Sequence, residues 1–204
     1  MFKKLFQKKT KEEKFWNWFI ENEAELFYGT DNEADRERIF DGLTERIKAI
    51  DSNLAFEFSP ISEEDRKEFI ISADGIQESF VQVESLISVA PNHIHWDFLA
   101  FRQPIAGDDI KLKMGDLEIG YTDIYFRFME EGDQLSVQLN IRNFDGSGFQ
   151  QNAVYLLLDS LLGEFDTVTE IDVIDWEILN ETENEKCHPF IELRNLISRR
   201  KDKK

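Results

Sequence analysis

Residues Lys67–Gln103 have the sequence KEFIISADGIQESFVQVESLISVAPNHIHWDFLAFRQ, and this stretch decides the predicted fold. It opens with a short apolar run that ends near Ser72 and closes with a second run over His93–Phe101. Between them, apolar residues recur at helical spacing, and Asp74 is suited to cap that helix. Pro91 follows the helical pattern and stops it. The stretch therefore predicts strand, helix, strand.

A second copy of this pattern lies near the C-terminus. Ile94–Leu99 (IHWDFL) is matched by Ile174–Leu179 (IDWEIL), and an Asp-Gly pair precedes each helical pattern, at Asp74-Gly75 and Asp145-Gly146. Paired strand–helix–strand units are typical of antiparallel α+β folds. We predict a two-layer α+β fold with a mostly antiparallel sheet and helices on one face. The duplicated units suit a ferredoxin-like core, with both tryptophan-containing strands in one sheet.

The length of 204 residues, the hydrophobic share of 41% and the 18 Phe suit a single packed domain. We predict a basic tail over residues 1–9, followed by one α+β domain over residues 10–204. That domain comprises an N-terminal helix pair over 10–51, a sheet core over 53–179 and a C-terminal helix over 188–200.

Cap residues locate several helix ends. Thr10 with Glu13 has the pattern of a capping box, and Pro189 is suited to the first turn of the C-terminal helix. The segment between Ser147 and Gly163 is apolar almost all round, which predicts a buried helix. Carboxylates at its end, Asp159, Glu164 and Asp166, are expected to be exposed, although burial would raise their pKa.

The charge is strongly acidic and unevenly distributed. The net charge is −18, and residues 15–198 hold 13 basic and 39 acidic residues, a net charge of −26. Such a body repels phosphate, so we expect no nucleic-acid partner. It favours solubility or the binding of a cationic protein. The acidic run Glu63, Glu64 and Asp65, in a predicted loop, is the expected contact with such a partner.

The sequence favours a cytoplasmic protein. Its single cysteine, Cys187, excludes an intrachain disulfide and suits a reducing compartment. The N-terminus lacks the apolar core of a secretory signal, and no apolar run reaches the roughly 20 residues of a membrane-spanning helix. The tail Met1–Lys9 carries Phe2, Leu5 and Phe6 among lysines. We expect it to be solvated, and peripheral membrane contact through the basic termini is an alternative.

Histidines offer a candidate for chemistry. His93 and His95 lie two apart on the predicted strand and share a face with Asp97, so the three could form part of a zinc site. The ordinary interpretation is polar side chains at a strand end. Cys187 and His188 are adjacent, which does not make a catalytic dyad. We therefore predict no catalytic residues, no metal and no cofactor, with a small metal-dependent hydrolase using His93 and His95 as an alternative.

One sheet face is a further candidate surface. The predicted strands 124–128 and 135–141 alternate cleanly between apolar and polar residues, which indicates one packed face and one wet face. The polar face carries Tyr125, Arg127, Gln138, Asn140 and Arg142. A solvated sheet face is the ordinary interpretation.

Taken together, the residues favour a non-catalytic protein-binding or regulatory domain, of inhibitor or immunity type, with an acidic surface. No motif in the sequence identifies the partner or the oligomeric state.

Overall fold

The computed structural model describes residues 9–30, 32–182 and 184–203. Within these ranges the chain forms seven α-helices and nine strands, and most strand pairs are antiparallel. The predicted α+β class with mostly antiparallel pairing is confirmed. None of the described helices is both long enough and apolar enough to cross a membrane.

The chain divides into two compact units, the first ending at Phe101 and the second beginning at Arg102. The sequence predicted a single domain over residues 10–204 with one sheet core over 53–179. The described strands form one sheet in the first unit and two in the second, each unit has buried residues of its own, and the number of domains stays a prediction. Of the predicted basic tail over residues 1–9, only Lys9 lies within the described residues.

Three helices, not the predicted pair over residues 10–51, open the first unit. They are α1 (Lys11–Glu21), α2 (Glu23–Gly29) and α3 (Glu33–Lys48). The break falls at Asn22, whose side-chain amide donates to the Trp18 carbonyl at 2.7 Å. Short polar side chains compete for backbone partners in this way, which is why Asn favours helix ends. The capping box of Thr10 and Glu13 begins α1 as predicted.

The strand–helix–strand stretch folds as predicted and follows one further strand. The elements are β1 (Ala55–Phe58), β2 (Lys67–Ser72), α4 (Phe80–Ser88) and β3 (Trp96–Ala100). The sheet order is β1-β2-β3, with β1 antiparallel and β3 parallel to β2. β3 begins at Trp96 and not at His93. The His95 main-chain N–H binds the His93 ring nitrogen at 3.3 Å, and the His95 carbonyl accepts from the Lys67 N–H of β2 at 2.8 Å.

Asp74 does not cap α4, contrary to the prediction. Asp74 and Gly75 both adopt positive φ, at 49° and 78°, and form a turn. A 3-10 turn over Gln77–Ser79 then leads into the helix.

The first unit is packed through aromatic rings. Trp16 of α1 lies 4.4 Å from Phe98 and Phe19 lies 4.9 Å from Phe69, measured between ring centroids. The Trp16 indole N–H donates to the Leu86 carbonyl at 2.7 Å, which ties α1 to α4. Buried rings need such a partner for their polar atom. Trp16 and Phe19 of α1 therefore belong to the core of the first unit.

The second unit contains two sheets and three helices. Its strands are β4 (Lys111–Met114), β5 (Leu117–Gly120), β6 (Ile124–Glu131), β7 (Gln134–Ile141), β8 (Val173–Ile178) and β9 (His188–Pro189). Its helices are α5 (Gly148–Leu162), α6 (Glu164–Glu170) and α7 (Leu193–Lys201). β4 and β5 form a hairpin, and the larger sheet has the order β8-β7-β6-β9 with β7 and β8 parallel.

The buried face of α5 covers the inner face of this larger sheet. Val154, Leu158 and Leu161 are fully buried, as are the inward residues Val137 and Leu139 of β7. The helix is buried on this face only, since Phe149 and Tyr155 on its other side are 52% and 42% exposed.

The C-terminal helix starts later than predicted over 188–200. His188 and Pro189 pair with Phe126 and Tyr125 of β6 as the short strand β9. Proline suits such an edge position because it has no N–H to donate. A 3-10 turn follows, and α7 begins only at Leu193.

The two tryptophan-containing strands do not share a sheet. Trp96 lies on β3 in the first unit and Trp176 on β8 in the second, so the prediction of one duplicated core sheet is wrong. Each strand–helix–strand unit instead forms its parallel pair within its own sheet. The order of hairpin, helix and parallel strand is nevertheless the same in both units.

Candidate functional site

The two sets of residues singled out in the sequence come together in the first unit. Residues 62–66, here called the acidic loop, precede β2, and residues 93–95 precede β3. β2 and β3 are parallel neighbours in which Lys67 pairs with Trp96. Segments that lead into two parallel neighbouring strands lie at the same end of those strands, so the acidic loop lies beside the histidine segment.

The acidic loop is closed by its own hydrogen bonds. The Ser62 N–H donates to the Arg66 carbonyl at 2.8 Å, and the Arg66 N–H donates to the Ser62 hydroxyl at 3.2 Å. Asp65 adopts a positive φ of 55°, a conformation that Asp tolerates at tight turns. Glu63 and Glu64 lie at the tip and are exposed.

Arg66 fastens the acidic loop to the neighbouring strand. Its guanidinium binds both carboxylate oxygens of Asp97, one at an Nε–Oδ2 distance of 2.8 Å. It also donates to the carbonyls of Ile94 at 2.5 Å and Trp96 at 3.2 Å. The hydrogen bond from Arg66 lowers the pKa of Asp97. Bidentate pairing of this kind fixes orientation as well as position.

The two histidines bind neighbouring protein groups. The Nδ1 atom of His95 lies 3.1 Å from the Asp65 carbonyl and 3.4 Å from the Asp65 carboxylate, an ion pair whenever the ring is protonated. The Nδ1 atom of His93 accepts the His95 N–H at 3.3 Å. Asp97 is committed to Arg66.

These contacts leave the zinc hypothesis without a ligand set. His93 and His95 precede the strand that carries Asp97, so the expected common strand face does not form. Over residues 9–30, 32–182 and 184–203, no group of three or more His, Cys, Asp or Glu side chains is arranged to hold a metal ion.

Ile94 adds an apolar element that the sequence interpretation missed. Its side chain is 75% exposed between the two histidines, and its carbonyl accepts from Arg66 at the base of the acidic loop. Single exposed apolar side chains are common on protein surfaces, so Ile94 is of interest only for its place next to the acidic loop. No signal in the sequence indicated this exposure, because residues two apart on a strand share a face and Ile94 was expected on the buried face with Trp96. Ile94 is exposed because it precedes β3, which begins at Trp96.

Several cations form ion pairs with acids of the protein itself. Arg142 pairs with Asp123 at 2.8 Å and Glu181 at 2.7 Å, and Arg200 pairs with Glu130 at 2.6 Å. Further pairs join Arg38 to Glu25 and Asp35, Arg102 to Asp159, and Lys201 to Asp166. Because acids outnumber cations, the excess negative charge is presented to solvent.

A buried polar cluster lies at the end of α5 in the second unit. Glu164 is fully buried and Asp159 is 8% exposed, so the expectation of exposed carboxylates is wrong for both. Arg102 donates to Asp159 through Nη1 at 3.4 Å and to Glu164 through its main-chain N–H at 3.2 Å. Burial raises the pKa of Asp159 to about 6, against the lowering effect of Arg102.

A cleft of about 510 Å³ lies beside α7. Its floor includes Leu161 and Ile197, and its charged rim includes Asp166, Arg194 and Lys201. Lys201 is paired with Asp166 through two contacts of 2.8 Å, and Arg194 donates to main-chain carbonyls. The rim charges are thus largely satisfied within the protein and select no particular ligand.

Cys187 and His188 engage different groups, as expected for chain neighbours. The Arg127 Nε–H donates to the Cys187 sulfur at 3.3 Å, and the His188 ring lies 3.2 Å from the Glu192 carboxylate.

Comparison with models of known protein families, with curated proteins and with solved structures finds no match to this chain.

Proposed function

We propose that the protein is a non-catalytic protein-binding or regulatory domain, of inhibitor or immunity type, that binds a cationic partner protein. The observation that carries the proposal is the acidic loop. It is closed by its own hydrogen bonds, fastened to β3 by Arg66, and presents Glu63 and Glu64 beside the exposed Ile94.

The closed conformation and the charge of the acidic loop affect binding in different ways. A preformed loop loses little conformational entropy when a partner docks, so more of the contact energy is retained as affinity. Uncompensated negative charge attracts a cationic partner over a long range and accelerates encounter. A buried aliphatic contact at Ile94 acts after docking and slows dissociation.

The first experiment is a paired measurement on a partner recovered by affinity capture. We expect its association rate to fall steeply as NaCl rises, with little change in dissociation, because the Debye length shrinks to about 8 Å at physiological salt. The double variant Glu63→Lys with Glu64→Lys is expected to slow association at least about tenfold.

The control reverses the same number of charges elsewhere. Asp109→Lys with Asp116→Lys alters two exposed acids of the second unit. This variant is expected to retain most of the association rate. Equal losses in both variants would assign the effect to net charge, and salt-independent association would overturn the proposal.

Ile94 is tested separately. Ile94→Ser is expected to increase the dissociation rate of the complex several-fold while association changes little, since the contact is apolar and short-ranged. Ile105→Ser, at a residue that is 52% exposed in the second unit, is the matched control. An unchanged dissociation rate in Ile94→Ser would remove Ile94 from the binding surface.

The alternatives have less support. A metal-dependent hydrolase needs ligands beyond His93 and His95, and Asp97 is bound to Arg66. Membrane contact through the C-terminal cations competes with the ion pairs of Arg200 and Lys201. Stoichiometric zinc in protein purified without a His-tag, lost in His93→Ala with His95→Ala, would replace the proposed function by the hydrolase.

A further inference from the structure

β8 is an edge strand of the larger sheet in the second unit. It pairs with β7 on one side, and no strand among the described residues pairs with its other side. Edge strands present unpaired N–H and C=O groups that can accept another strand. Proteins commonly protect such edges with proline, charged side chains (lysine above all) or a bulge. Residues Val173–Ile178, VIDWEI, contain no proline and no lysine, and their charged residues are the acids Asp175 and Glu177. Acids at an edge repel an acidic strand and attract a basic one.

The open face of β8 carries a row of negative charge. Asp175 lies in register with Gln138, and Glu177 lies in register with Asn140, on the polar face singled out in the sequence. Both acids are exposed, and neither forms an ion pair with any described cation. Their two-residue spacing matches the side-chain period of an adjacent strand.

The opposite side of the same edge is apolar. Ile178, in register with the buried Ile141, is 63% exposed. Tyr155 of α5 is 42% exposed and lies 5.2 Å from the Trp176 ring. The edge therefore offers acids on one face and exposed apolar side chains on the other.

We propose that β8 binds an extended basic segment of a partner protein as an additional strand. Main-chain hydrogen bonds to the free edge would hold the segment, as in other cases of strand addition. Its cations, at alternate positions, face Asp175 and Glu177, and its intervening aliphatic residues contact Ile178 and Tyr155. This surface is independent of the acidic loop.

The test uses the full chain and short peptides with capped termini in which Lys and Val alternate. We expect the alternating peptide to bind and to protect backbone amides of residues 173–178 from hydrogen exchange. A peptide of the same composition with Lys and Val in separate blocks is expected to bind at least about tenfold more weakly. N-methylation along one edge of the alternating peptide should abolish amide protection, because it removes main-chain donors while keeping the charge.

Variants of the protein locate the site. Asp175→Asn with Glu177→Gln is expected to weaken the alternating peptide about tenfold, whereas Glu63→Lys with Glu64→Lys should leave it unchanged. The inference would be overturned if the peptide with separate Lys and Val blocks and the N-methylated peptide bound as tightly as the alternating peptide. It would also be overturned if the alternating peptide gave residues 173–178 no protection from hydrogen exchange. Because those two outcomes are measured on the unmodified protein, a variant that fails to fold does not obscure them.

Discussion

Asp159 of the second unit is buried, although burial disfavours its charged form. It lies on the buried face of α5 among leucines, with Arg102 at 3.4 Å as its ion-pair partner. Burial disfavours the charged form, Arg102 favours it, and the nearby Glu164 disfavours it again. Desolvation is the largest of these effects, which is why the pKa rises to about 6 despite the adjacent cation.

This raised pKa predicts how stability depends on pH. The folded state holds the Asp159 proton more tightly than the unfolded state, so its contribution to stability is lost as pH rises from about 4 to about 6. In Asp159→Asn that loss is absent. Relative to the wild type, the variant is expected to gain about 2 to 3 kcal/mol in free energy of unfolding between pH 4 and pH 7. Urea unfolding across this range measures it, and a pH-independent difference would contradict it.

Tyr121 supplies a second prediction. Its hydroxyl is buried with no hydrogen-bond partner among the described residues, and burial raises its pKa to about 12. An unpaired buried hydroxyl carries a desolvation cost, so Tyr121→Phe is expected to be neutral or stabilising by about 1 kcal/mol. Urea unfolding checks this, with the half-exposed Tyr155→Phe as control. Destabilisation by more than about 1 kcal/mol would show that the hydroxyl is satisfied in solution.

The junction between α5 and α6 depends on Gly163. Its φ is 85°, and a Cβ there would lie 3.1 Å from the Pro104 ring and 3.4 Å from the Arg102 carbonyl. Strain and crowding therefore act together at this turn. The sharp turn begins α6 at Glu164, within the buried cluster that contains Asp159.

Gly163→Ala is expected to destabilise the protein by about 1 to 3 kcal/mol. Gly146→Ala is the matched control, because Gly146 has a φ of 76° but open space where the Cβ would lie. The control reports the cost of a positive φ without crowding, expected at about 1 kcal/mol. Chemical unfolding compares the two, and equal losses would show that neither crowding nor the ψ of 147° at Gly163 adds to that cost.

Local patterns predicted the elements better than their ends. The capping box of Thr10 with Glu13 formed because it depends only on residues within one helical turn. The break at Asn22 and the strand at Pro189 were missed, because each depends on a competing hydrogen bond or a strand pairing that sequence spacing does not encode. Asp159 was wrongly expected to be exposed for the same reason, since its burial depends on which parts of the chain pack against α5.

The sequence did not predict which strands share a sheet. The similarity of the Trp96 and Trp176 segments correctly indicated two strand–helix–strand units. It did not indicate whether the two parallel strand pairs would join in one sheet, because strand pairing depends on contacts between residues far apart in the sequence. In the candidate site, the sequence supplied Glu63, Glu64 and His95, whereas the Arg66 anchor emerged only from the parallel register.

The net charge of −18 predicts a response to salt of the whole molecule. Raising NaCl from about 10 mM to about 150 mM shortens the Debye length from about 30 Å to about 8 Å, which screens repulsion among unpaired acids. The same salt weakens ion pairs such as Arg142 with Glu181, but exposed pairs contribute only about 0 to 1 kcal/mol each. Relief of self-repulsion should therefore prevail, and the Tm is expected to rise by a few degrees. Asp109→Lys with Asp116→Lys reduces the net negative charge by four, so its Tm should rise less over the same range. Calorimetry in NaCl and KCl separates screening from specific ion binding, and a Tm that falls with salt would mean that the ion pairs outweigh the repulsion.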